Sequence, residues 1–115
     1  MINVLNKKKN PNIDGIYIGR LYILGNPFSH KEKSIAEYKV SSRDEAISKY
    51  EIWLNEKLTD VESAEYKEFC RLVDLYKTNG ELNLVCWCHP LRCHGDVLSK
   101  KIQEHSLKQF FNFEE

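Results

Sequence analysis

Leu82-Asn83-Leu84-Val85-Cys86-Trp87-Cys88-His89-Pro90-Leu91-Arg92-Cys93-His94-Gly95-Asp96 carries most of the information about the fold. From Leu84 to Cys88 it is β-branched, aromatic and apolar, which predicts a central, buried strand with Trp87 in the core. Pro90 breaks the run, and a helix is expected to begin between Cys93 and Asp96, carrying Val97, Leu98, Ile102 and His105. Side chains alternate along a strand, so Cys86 and Cys88 share one face and Trp87 takes the other. Cys88 then falls at the carboxyl end of the strand, with Cys93 and His94 at the helix start. In open α/β sheets that junction is where ligands bind, and helix N-termini favour anions and thiolates.

Working outward, Ile2-Asn3-Val4-Leu5 reads as a first strand and Ile16-Tyr17-Ile18 as a second, separated by Lys7-Lys8-Lys9 and an Asp14-Gly15 turn. Gly25-Asn26-Pro27 forces a further turn, and residues 30–39 read as a charged, exposed insert. Ser42 and Glu45 fit a capping box ahead of an apolar stripe of Ala46, Ile47, Tyr50, Trp53 and Leu54. Tyr50 and Trp53 are therefore expected in the core. After Asp60 a second helix is expected from Val61 to Thr78, with the stripe Phe69, Leu72, Val73 and Tyr76 and an Asn79-Gly80 stop. Cys70 on that helix reads as a packing thiol. Residues 107–115 form an aromatic tail.

The expected fold class is a small single α/β domain spanning residues 1–115. Three main helices should flank a short, mostly parallel or mixed sheet of three or more strands. A chain of 115 residues with 42% hydrophobic and 30% charged residues suits one soluble core. No apolar run is long enough for a membrane helix, and the first residues open no signal peptide, so no membrane partner and a cytoplasmic location are expected. The 17 basic and 17 acidic side chains balance, which argues against binding nucleic acid by electrostatics alone. Four cysteines in such a compartment suggest reduced thiols, metal ligands or catalytic groups rather than disulfides.

Three chemistries fit the Cys/His cluster. Cys86, Cys88, Cys93 and His94 form a permitted zinc set, although C-x-C-x₄-C-H contains no C-x₂-C knuckle. Cys93 or Cys88 with His89 or His94 could supply a nucleophile and base, and Asp96 completes an enzymatic reading in which Cys93, His94 and Asp96 act on a nucleotide or nucleobase. Alternatively, the turn binds an anionic ligand. That third reading draws in Gly19, Arg20, Gly25, Asn26 and Arg43, with Cys88, His89 and Gly95. Glycines after a strand let the backbone approach a ligand, and arginine supplies a fork for phosphate. Arg43 stands in the first turn of its helix, where the dipole disfavours a cation.

Ile18-Gly19-Arg20, Leu24-Gly25-Asn26-Pro27-Phe28, Arg43 ahead of Ala46, Tyr50, Trp53 and Leu54, and Cys86-Trp87-Cys88, Pro90 and Cys93-His94-Gly95-Asp96 together resemble the domain of unknown function 4326 family, small proteins of bacteria and phages. The resemblance covers about Val4 to Ile102, leaving the insert and the tail aside. It implies one α/β domain whose three motifs meet at one site, and, for a phage member, a place in the bacterial cytoplasm. It implies no activity. The expectation is a nucleotide or other phosphate-bearing, nucleic-acid-related ligand in one pocket, with no cofactor beyond a possible zinc. Sequestering a signalling nucleotide is a variant of it, and a zinc-stabilised nucleic-acid-binding or interaction module is the structural alternative.

Overall fold

In the computed structural model, which describes residues 1–19, 22–29, 38–87, 91 and 93–113 with side chains to residue 107, the stretch from Leu82 does become the central strand. This strand, Leu82–Cys86, is β5, and it lies between β1 (Ile2–Asn6) and β2 (Ile16–Tyr17) in a parallel sheet of order β1-β5-β2. Ile2 pairs with Leu82 and Asn6 with Cys86, while Ile16 pairs with Leu84. Two parallel dipeptides, β3 (Phe28–Ser29) and β4 (Tyr38–Lys39), form a second small sheet in which the Phe28 and Tyr38 rings stack at 5.1 Å. The expected insert of residues 30–39 therefore ends in paired backbone, and residues 30–37 lie outside the described residues.

The first two helices start where a hydroxyl can satisfy their orphan amides. Helix α1 (Arg43–Leu58) is capped by Ser42, whose Oγ accepts from the Glu45 amide at 3.1 Å. The Glu45 carboxylate closes the box one residue further back than expected, accepting from the Ser41 amide at 2.8 Å. That bond holds the carboxylate below its usual pKa range. Helix α2 (Ala64–Asn79) begins three residues later than its pattern suggests, because Ser63 caps it while Asp60 folds a local turn onto the Glu62 amide. It ends at Gly80, whose φ of 71° is the left-handed stop that Asn79-Gly80 predicts. Helix α3 (His94–Phe113) runs on through the backbone of the expected aromatic tail; the side chains of residues 108–113 lie outside the described residues.

Helices cover the sheet on one face. The sheet residues that meet the helices are even-numbered: Ile2 and Val4, Ile16 with Ile18 just beyond β2, Leu82, Leu84 and Cys86; odd-numbered Val85 is buried too, on the opposite face. The even-numbered residues pack on Ile47, Tyr50 and Leu54 of α1, Phe69, Leu72 and Val73 of α2, and Val97, Leu98 and Ile102 of α3. Trp53 leans on this core from a half-buried position, beside the fully buried Tyr50. Odd-numbered residues point the other way, under the loop of residues 7–15 that returns the chain from β1 to β2 across β5. Asn83 donates its amide to the Asp14 carbonyl there.

This overturns the expectation for Trp87. Expected in the core, it is 58% exposed, because odd register places it on the face that carries no helix. The strand also stops at Cys86, two residues short of the expected end, with Trp87 in a bend. Parallel sheets are ordinarily covered on both faces, which is the rule that made the run look doubly buried.

Candidate site at the carboxyl edge of the sheet

The three parallel strands end together, and the chain beyond β2 folds into successive tight turns at that edge. Ile18 extends the ladder by donating to the Val85 carbonyl at 2.9 Å. Tyr22 then donates to the Gly19 carbonyl at 3.2 Å and Gly25 to the Tyr22 carbonyl at 2.8 Å. The turns close so tightly that a Cβ on Gly25 would overlap the Gly19 carbonyl oxygen. Side chains from the helices hold them there. Tyr50 of α1, fully buried, donates its hydroxyl to the Leu24 carbonyl at 2.7 Å, and burial pushes that hydroxyl's pKa up. Tyr22 donates to Glu68 of α2 at 2.5 Å, and Arg71 grips the same carboxylate with two bonds of 2.7 Å. Arg71 in turn keeps Glu68 ionised to lower pH than usual, while burial and the Glu68 charge raise the pKa of Tyr22.

The Leu24-Gly25-Asn26-Pro27-Phe28 motif is tied to α1 a second time, by its own Asn26. Asn26 donates its amide to the Ala46 carbonyl at 3.2 Å and accepts from the Phe28 amide at 2.9 Å, so both ends of the carboxamide are engaged inside the protein. Arg43 stands one turn before Ala46, half-buried at the start of α1.

The start of α3 closes the edge. Cys93 occupies the capping position: its Sγ accepts from the Gly95 amide at 3.3 Å, and its own amide donates to Asp96 Oδ2 at 3.1 Å. The Asp96 carboxylate thus already provides the negative charge that the helix N-terminus favours. His94 Nε2 lies 2.6 Å from the Ile18 carbonyl oxygen, which can only accept, so Nε2 carries the proton. The imidazole also meets the Tyr50 ring edge-on at 5.2 Å. Gly95 is packed between Ile18, Val4 and Cys93, where a Cβ would come within 2.9 Å of the Ile18 side chain. Cys86 and Cys93 put their sulfurs 3.7 Å apart in the core.

Of the residues singled out in the sequence, Gly19, Gly25, Asn26, Cys86, Cys93, His94, Gly95 and Asp96 gather along this edge through direct contacts, and Arg43 opens the helix whose Ala46 carbonyl binds Asn26. Arg20, Cys88 and His89 lie outside the described residues, as do Pro90 and Arg92. Cys93 and His94 are buried, 2% and 8% exposed, with their sulfur and Nε2 turned to internal partners. The Gly25 and Gly95 amides also bond within the protein. Among the described residues, no group of three or more His, Cys, Asp or Glu side chains could hold a metal ion. Nor is any helix among them long and apolar enough to cross a membrane.

Three tyrosines escaped the sequence reading: Tyr22 and Tyr50 as the clamps on the turns, and Tyr17 on the open face. Tyr17 had a legible signal, since it shares odd register with Trp87, to which it is joined by an Nε1-to-hydroxyl bond of 2.9 Å. The family model described as Domain of unknown function (DUF4326) matches residues 2–104, so it takes in all three motifs. The chain belongs to the DUF4326 family. The matched range includes residues 30–37 and stops within α3, so the end of the chain is the part that lies beyond the family model. No curated protein and no solved structure matches the chain.

Proposed function

We propose that this DUF4326 protein binds a nucleotide or another phosphate-bearing ligand at the carboxyl edge of its sheet. The observation that carries the reading is the His94–Ile18 bridge. With the Gly25–Gly19 packing and the Asn26–Ala46 bond, it brings Ile18, Gly19, Gly25, Asn26 and His94, one or more residues from each motif, towards one end of a parallel sheet. Ligands of parallel α/β sheets bind at that end. Because Asp96 already occupies the α3 N-terminus, the anion contacts fall to guanidinium groups, Arg20 beside Gly19 and Arg43 at the start of α1. Isothermal titration against nucleoside mono-, di- and triphosphates tests this. Binding is expected to weaken about tenfold or more in Arg20→Ala or Arg43→Ala, the loss appropriate to a charge-assisted bond. Absence of binding to every member, or affinity unchanged in both variants, overturns it.

A structural zinc is a second reading, favoured by the thiol pair. Two thiolates on one tetrahedral zinc, each with a bond of about 2.3 Å, stand about 3.8 Å apart, close to the 3.7 Å between Cys86 and Cys93. Cys88 would be the third sulfur. Elemental analysis of the purified protein should find about one zinc per chain, lost in Cys88→Ala together with stability towards chelator. Metal-free protein of undiminished stability overturns this reading.

A further inference from the structure

The open face of the sheet carries a depression that packing does not explain. It is a shallow, open hollow of about 310 Å³ lined by Lys7, Ile13, Gly15, Tyr17, Val85 and Trp87. Val85 and Ile13 make an apolar floor. Trp87, 58% exposed, and Tyr17, 40% exposed, stand beside it, and their mutual hydrogen bond braces both rings while leaving much of each in solvent. Lys7 closes the rim, its ammonium donating to the Pro11 carbonyl at 3.2 Å, with Lys8 and Lys9 exposed next to it. The 7–15 loop holds three lysines to one aspartate, so the surroundings are cationic although the whole chain is neutral. An apolar floor, braced aromatic rings and a local positive charge complement a flat, anionic, aromatic ligand.

The depression also adjoins the edge described above. The Tyr17 hydroxyl lies directly over Gly19, in the space a Cβ there would need. Resting on the reading of that edge as a phosphate-binding site, we propose that Trp87 and Tyr17 form the base-stacking part of the same site. The ligand is then a free mononucleotide, its base in the depression and its phosphate directed past Gly19. A volume of about 310 Å³ lies at the low end of the range for ligand pockets and suits one nucleotide rather than a strand of them.

The chain contains two tryptophans, so Trp53→Phe leaves Trp87 as the single indole reporter. In that background, each common nucleoside monophosphate, ribose 5-phosphate, inorganic phosphate and an eight-nucleotide single strand are titrated by fluorescence and calorimetry. A monophosphate is expected to quench Trp87 and to bind at least about tenfold more tightly than ribose 5-phosphate, the margin that stacking one base supplies. Trp87→Ala, a change at an exposed position, should erase that margin, and Trp87→Phe should keep most of it. Equal affinity for ribose 5-phosphate and every monophosphate, or a margin that survives Trp87→Ala, overturns the stacking site while leaving the phosphate site standing. Binding of the single strand alone overturns the mononucleotide assignment, and binding of none of these probes removes both.

Discussion

Replacing Tyr50 with alanine is expected to lower the unfolding free energy by about 3–5 kcal/mol, the usual consequence of emptying a buried aromatic site. This ring is fully buried, packs on Trp53 at 5.6 Å and on His94 at 5.2 Å, and holds the Leu24 carbonyl with its hydroxyl. Tyr50→Phe separates the two contributions. It keeps the ring but leaves the carbonyl without its donor, an expected loss of about 1–3 kcal/mol for a buried unsatisfied group. Urea unfolding of the two variants measures both. A Tyr50→Phe variant as stable as the parent would show that the Leu24 turn is not held from α1, and the account of how the edge is organised would fail with it.

Gly25→Ala is the second large effect, expected at about 3 kcal/mol, towards the upper end for overpacking in a closed structure. The added methyl meets the Gly19 carbonyl oxygen and comes within 3.0 Å of the Tyr22 carbonyl oxygen. Both are backbone atoms of the same turns, so neither can rotate away. Relief requires opening the Gly25-to-Tyr22 or Tyr22-to-Gly19 hydrogen bond. Gly80→Ala is the natural comparison. Nothing lies within 4 Å of its added methyl, and only the left-handed φ of 71° opposes it, so the expected loss is about 1 kcal/mol. Equal stability changes at the two glycines, measured by urea unfolding, would contradict the close approach of Gly25 to Gly19.

These two sites show where sequence reasoning reaches and where it stops. Tyr50 was placed in the core because it recurs at helical spacing with Ile47 and Leu54, and burial of that stripe needs no knowledge of its partners. Its bond to Leu24 was not legible, because the partner is a carbonyl in another segment. Gly25 was legible as a turn residue, but the atom it must avoid belongs to Gly19. Ser63 displaced the expected start of α2 because hydroxyl and carboxylate caps compete over a few residues, and that competition is settled by local geometry. Trp87 failed for a different reason. An apolar run of five residues looks the same whether both faces of its strand are covered or one.

By itself the sequence determined the elements and the family: the apolar spacing of three helices, the Gly80 stop, the central strand and the three motifs that DUF4326 membership spans. Those are properties of neighbours along the chain, where propensity, periodicity and capping act. Only the tertiary structure decided the strand order β1-β5-β2, the helix-free face that exposes Trp87 and Tyr17, and the His94–Ile18 bridge that unites residues 76 positions apart. These depend on which surfaces meet once the chain has folded back on itself, and the free energy of burying one face rather than another is a property of the whole packed assembly.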